Sequence, residues 1–400
     1  MTQLVTCVRY REIHKMKNLR RFIFLSLIFA VISCGACRKQ PAPSQPNTNN
    51  ATTAPQETAA GGAAQAGDKF YFHGTIANDL RIEMAIVRDG QQLAGTYFYP
   101  KVGKDIGIKG TIDKEGNVDL READDGGKET GIFKGKWKQS TEAPDSSLFE
   151  IEGKWSKPDG TKETGFHLYQ QPIGFSGAVR LVPKLIKETN KQAHYTIDVE
   201  YPQIEGDARF DKFNKEVRAM VTKKVTEWKT GETSTDAEVA TELTNQDSTL
   251  ETGYDFRLAT DDLISVEFSE GVYERGAAHG NSITTVLNYD VKNGKKLSLV
   301  DLFNPKATYL NLISAYCIKD LKQQAAKDKE GMLSDDMIQS GASARASNYD
   351  AWAITRKGLW ITFDPYEVAA YAAGPQHVLV PYSALKDIIK PDGPIAGLAK

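Results

Sequence analysis

The chain has 400 residues, 40% hydrophobic and 26% charged, a balance that excludes a wholly disordered molecule and is long enough for two or three domains. Its formal net charge is −2; without residues 1–33 it holds 44 basic against 51 acidic residues, a balance of −7. That acidity excludes the basic face nucleic acid requires, so no nucleic-acid partner is expected, and it suits a cationic one.

The first element is a leader. "MKNLRRFIFLSLIFAVISC", Met16 to Cys34, has basic residues followed by an almost unbroken apolar run from Phe22 to Ile32. This is the pattern of a secretory signal and is short for a membrane span, so residues 1–33 read as a signal peptide, with Met16 as an alternative start. Val31-Ile32-Ser33-Cys34 resembles the bacterial lipobox, which places lipidation at Cys34, with Cys37 as the alternative. Two or three acyl chains would hold the protein durably on a membrane. The expected location is therefore outside the cytoplasm, anchored to the cell membrane or outer membrane and facing periplasm or exterior. "CGAC" could also be a redox pair, but the Pro/Ala/Thr-rich stretch after it cannot build the strand and helix that such chemistry needs. Residues 34–67 thus carry the lipidated cysteine and a disordered tether with a reach of roughly 30 Å.

Residues 68–175 have the period of strands. An apolar-x-Gly-x-apolar unit recurs five times, as FHGTI, LAGTY, IKGTI, FKGKW and IEGKW, with turn signals RDGQQ, DKEGN and KPDGT between the runs. Alternation puts the glycine on the face of its large neighbours, where it lets aromatics cover bare backbone or the sheet bend. An all-β antiparallel meander, barrel-like and closed or strongly curved, is expected. DKEGNVD only superficially resembles a calcium loop and reads as a hairpin turn.

A small α+β domain is expected at 176–270. YTIDVEYP (195–202) alternates as a half-buried strand, and Phe210, Phe213, Val217, Val221, Val225 and Trp228 recur at helical spacing. GYDFRLATDDLISVEFSEGVY reads as a hairpin, with Tyr254, Phe256 and Leu258 on one arm, Ile264, Val266 and Phe268 on the other, and Asp261-Asp262 at the turn. A C-terminal α+β domain then spans 271–400, with a helix near 307–327 whose apolar face buries Cys317.

No motif announces chemistry. G-x-S-x-G, H-E-x-x-H, a phosphate loop and histidine pairs at ligand spacing are all missing, so no metal or cofactor is expected. TDDL (260–263) lacks the histidines that metal-dependent deacetylases pair with aspartates. His279, in RGAAHGN, is the weak catalytic candidate, with Glu274, Arg275, Asp364, Glu367 and His377 as conceivable helpers. Its glycine neighbours, Gly276 and Gly280, favour a structural corner that needs positive φ. In FDPYEVAAYAAGP, two tyrosines held by prolines would make a surface loop with good contact area at low entropic cost.

GAAHGNSITTVLNYDVKNGKKLSLVDLF and GLWITFDPYEVAAYAAGPQHVLVPYSAL together resemble the extracytoplasmic domain of the lysozyme-sensing anti-sigma factor RsiV, a region also found ahead of some peptidoglycan deacetylase domains. The resemblance covers roughly residues 190–388. It implies an α+β envelope domain and a lysozyme-binding surface that here would include Pro365, Tyr366, Glu367 and Tyr371. The 400 residues carry nothing resembling the sigma-binding segment, the spanning helix or the deacetylase domain, so regulated sigma release is not expected. The meander resembles no family. The expectation is a lipoprotein that binds a lysozyme-like protein or peptidoglycan fragments without catalysis. The alternatives are a cell-wall hydrolase using His279 with a carboxylate, and a structural or assembly lipoprotein.

Overall fold

A computed structural model describes residues 67–77, 79–140, 147–234 and 246–400. The signal, Cys34, Cys37 and the tether lie outside the described residues. Among the described residues no helix is long and apolar enough to cross a membrane.

Eight strands, β1 (Asp68–Ile76), β2 (Leu80–Asp89), β3 (Gln92–Phe98), β4 (Ile106–Ile112), β5 (Asn117–Ala123), β6 (Glu129–Gln139), β7 (Phe149–Ser156) and β8 (Thr164–Gln170), form a closed antiparallel barrel. β8 returns to pair with β1, Phe166 opposite Ile76. The recurring glycines explain the closure. A Cβ added at Gly74, Gly95, Gly110, Gly135 or Gly153 would lie 1.9 to 2.3 Å from a carbonyl oxygen of the adjacent strand. At these five points the backbone of the next strand occupies the space of a side chain, so the sheet can curl tightly enough to close. Alternate residues point inward and fill the interior, among them Phe72, Ile86, Tyr97, Phe133, Trp137 and Phe166. The interior also holds one carboxylate, Glu122, which accepts hydrogen bonds from Tyr97 Oη and Trp155 Nε1. DKEGN forms the β4–β5 turn, closed by Asn117 donating its backbone N–H to Asp113 Oδ1.

The second layer is a seven-stranded sheet ordered β10 (Arg180–Asn190), β11 (Tyr195–Glu205), β12 (Ser248–Thr260), β13 (Leu263–Tyr273), β14 (Asn281–Asp290) and β15 (Lys295–Lys296), with β9 (Ile173–Gly174) beside the end of β12. The parallel pair β11–β12 is joined through helix α1 (Asp211–Ser234), whose Phe213, Val217, Val221 and Val225 pack with Ile197, Val199, Phe256 and Phe268 in one core. The DD hairpin forms as its sequence implies, but Leu258 does not share the face of Phe256. A β-bulge shifts the register between them. The extra residue turns Leu258 to the opposite side of the sheet, into a second core. The expected join at 270/271 lies inside β13, and the sheet runs through it without interruption.

That second core lies beneath a three-stranded sheet, β16 (Trp352–Ile354), β17 (Gly358–Phe363) and β18 (Gln376–Pro381), and two helices, α2 (Tyr309–Ala325) and α3 (Asp335–Gly341). A buried polar tie joins the two sheets. Ser265 Oγ donates to Asn288 Oδ1 at 2.6 Å, Asn288 Nδ2 donates to Trp352 O at 2.7 Å, and Ile354 N donates to Ser265 Oγ at 2.9 Å. Cys317 is fully buried and unpaired on α2, and burial pushes its thiol pKa up.

Candidate functional site

His279 and the loop that carries Pro365, Tyr366, Glu367 and Tyr371 meet on one surface. After β13 the chain turns at Gly276, with φ of 89°, and reaches His279; Gly280 does not adopt positive φ, so one glycine makes the corner where two were expected. The loop 364–375 between β17 and β18 is tied to this corner from below. Asp364 Oδ2 accepts from Thr284 N of β14 at 2.9 Å, and Glu367 Oε2 accepts from Asp364 N at 2.8 Å. Tyr371 donates its hydroxyl to Gly280 O.

These ties bring three rings from two distant segments into one row. His279 lies on Tyr371 with centroids 4.1 Å apart and planes 30° from parallel, and Tyr371 lies beside Tyr366 at 5.4 Å and 31°. Tyr366 is the outer member, 58% exposed, and among the described residues it is the exposed large aromatic. Its backbone φ is 75°, a left-handed conformation uncommon for a bulky residue. Pro365, immediately before it, fixes the entry of the chain into this turn. Strain of this kind is found where the surrounding structure enforces a side-chain direction. Neither the stacking nor the strain has a sequence signal, because the spacing between His279 and Tyr371 is set by tertiary pairing.

Two carboxyl groups border the rings. Burial raises the pKa of Asp364, opposed by its bonds from Thr284, and burial likewise raises that of Glu367, opposed by the Asp364 N–H. His279 Nδ1 lies 2.9 Å from Gly280 O, and among the described residues no carboxylate pairs with its ring. His377, a candidate helper, is instead stacked on Trp360 at 5.0 Å and bonded to Thr362 Oγ1 at 3.1 Å, away from the row. Thr362 in turn donates to Glu267 Oε2, whose other oxygen takes the Arg257 guanidinium. Sequence reading missed this chain because the bulge at Arg257 is what aims it. TDDL is a tied hairpin turn, with Asp261 Oδ1 accepting from Ser176 N at 2.9 Å. Among the described residues no group of three His, Cys, Asp or Glu could hold a metal ion.

The architecture is thus a surface row of three rings on an α+β layer that follows a packed β-barrel. Residues 188–282 match the family described as Deacetylase PdaC, and residues 300–383 match that described as Protein of unknown function (DUF3298). Over 127 residues the chain is 32% identical to the peptidoglycan-N-acetylmuramic acid deacetylase PdaC of Bacillus subtilis, a match covering 32% of this chain and 26% of that protein. The chain thus spans about a quarter of the length of the curated relative it matches. Two crystal structures of DUF3298 proteins, from Bacteroides fragilis and Pseudomonas aeruginosa, are similar at a TM-score of 0.41 each. They are 20% and 18% identical, covering 56% and 55% of this chain and 98% and 97% of theirs. The family and sequence matches support a DUF3298/PdaC-like family.

Proposed function

We propose that this protein is a lipid-anchored envelope protein that binds a lysozyme-like protein through the row Tyr366–Tyr371–His279, with no chemistry of its own. The observation that carries this reading is the convergence of three rings from residues 279 and 366–371 onto one surface, with the outermost ring held outward. Rigid tyrosines supply large contact area at small entropic loss, the usual anchors of protein interfaces. Asp364 and Glu367 beside them, and the acidic chain as a whole, favour a cationic partner and faster encounter with it. Pro365 shapes the loop. The resemblance to lysozyme-sensing domains supports the same partner. A second reading, a cell-wall glycan, draws support from the match to a peptidoglycan deacetylase, and sugar rings also stack on aromatic faces.

Calorimetric titration with lysozyme tests the reading. Saturable binding is expected, weakened about tenfold or more by Tyr366→Ala and by Tyr371→Ala. Absence of saturable heat with lysozyme, or variants that bind as the parent does, would discard it. Heat with chitin oligomers that both variants lose would transfer the row to the glycan reading. Incorporation of an alkyne fatty acid, abolished by Cys34→Ala, checks the anchor.

A further inference from the structure

The turn that carries Tyr366 puts a bulky residue where chain geometry asks for glycine. Glu367 N donates to Asp364 O at 3.0 Å, closing a four-residue turn with Pro365 and Tyr366 at its centre. A proline at the second position and a φ of 75° at the third are the marks of a type II turn, whose third position normally goes to glycine or asparagine. Of the four non-glycine residues with positive φ among the described residues, Ala77, Lys162, His194 and Tyr366, the tyrosine is the largest.

The surroundings leave this turn no room to relax. Phe363 before it and Val368 after it are fully buried in the second core. Asp364 is tied to Thr284 of β14, and Ala370 N donates to Met332 O at 2.9 Å. From behind, the last residue of α3 presses on the turn itself: a Cβ added at Gly341 would lie 1.8 Å from Glu367 O and 2.6 Å from Glu367 C. Bare helix backbone therefore packs on bare turn backbone. That helix end is fixed in its own right, because Ala342 O accepts the hydroxyls of Ser314 and Tyr349, each at 2.6 Å. A bulky residue stays in the left-handed region only where its neighbours over-determine it, and here they come from β14, from α3 and from the segment before α3.

We propose that this turn is a preformed presentation element, in which the fold gives up stability to hold the Tyr366 ring outward and Gly341 is the residue that positions it. The proposal deepens the reading of the tyrosine row as an interface and rests on it. Glycine would satisfy the turn without strain, so the tyrosine is there for its side chain. At 58% exposure, with Tyr371 as its ring neighbour at 5.4 Å, that side chain contributes little to the core. A ring fixed before encounter loses little freedom on binding, which is what preorganisation adds to affinity.

The experiment compares substitutions in the full-length protein by melting temperature and by calorimetry with lysozyme. At an ordinary backbone position glycine is less stable than alanine, because it loses more freedom on folding. Here the order should reverse, with Tyr366→Gly melting about 2 °C or more above Tyr366→Ala. Tyr366→Gly should nevertheless lose lysozyme binding as Tyr366→Ala does. Gly341→Ala should lower the melting temperature by about 2 °C less in the Tyr366→Gly background than in the parent, since a relaxed turn yields to the new methyl group. It should also weaken lysozyme binding severalfold, through the ring it displaces. Tyr366→Gly melting at or below Tyr366→Ala, or binding lysozyme as the parent does, overturns the proposal. Equal losses from Gly341→Ala in both backgrounds, unfolding in both included, or undiminished binding overturn the positioning role. A parent that does not bind lysozyme, while Tyr366→Gly melts above Tyr366→Ala, discards that partner and leaves the strained turn standing, so the two failures are told apart.

Discussion

Burial is the main force pushing the His377 imidazole down to about 4, with Glu267 opposing the shift and Arg257 adding to it. A histidine with a depressed folded pKa contributes stability that is complete above its unfolded value near 6.5 and is lost as pH falls toward about 4. His377 should therefore keep the proton chemical shift of a neutral ring down to about pH 5 in an NMR titration, and a midpoint at or above about 6 would refute the buried arrangement with Trp360. Residue type does not separate this histidine from His279, which sits in the open against Tyr371. Sequence could nominate both, along with Tyr366 and Tyr371, because small neighbours and prolines mark loops. It could not say which would meet, since Asp364 reaching Thr284 is a tertiary bond across 80 positions.

The barrel shows what is legible at the scale of elements. A period-two pattern with a glycine between large residues has one economical physical explanation, a backbone crossing where a side chain would stand, and the five glycines are at those crossings. Gly135 and Gly153 face each other across β6 and β7. A Cβ at Gly153 would lie 2.1 Å from Lys134 O and 2.4 Å from Gly135 Cα, neither of which can rotate away. Gly153→Val should destabilise the protein by about 3 kcal/mol or more in urea denaturation; a loss under about 1 kcal/mol would mean the strands separate without opening the barrel. Leu258 marks the limit of such reading. Alternation assigns it to the face of Phe256, and a single bulged residue reverses that assignment without leaving a trace in the pattern.

At the scale of the whole molecule, the barrel is seated on the large sheet through a small group of charges. Arg81 of β2 bonds both Glu83 and, across the junction, Glu200 of β11, while Gln171 Nε2 donates to Glu83 at 3.4 Å. Burial, reinforced by Glu200 and opposed by Arg81, raises the Glu83 carboxyl to about 7. An acid with a raised folded pKa contributes stability that is full below its unfolded value near 4.5 and disappears as pH climbs through about 7. Glu83 should lower the melting temperature as pH rises from about 5 to about 8, against the opposite contribution of His377 below about 6.5, so the difference in melting temperature between the parent and Glu83→Gln should change across this window in scanning calorimetry; a pH-independent difference would place the titration elsewhere. This junction was not readable beforehand, because it assembles side chains from chain segments that no local pattern relates.

The sheet formed by β12 and β13 is common property of two cores. Its one face carries Phe256, Val266 and Phe268 into the core beneath α1, and its other sends Leu258 and Leu263 among Ile313, Leu359 and Ile361. The two family segments, 188–282 and 300–383, therefore interlock like the halves of a hinge sharing one pin. A gene rearrangement that carried off the first alone would deliver a sheet with a naked oily back, and one that carried off the second would deliver a core with its floor missing. For this architecture the unit that can be transplanted, trimmed or grafted onto another protein is the pair.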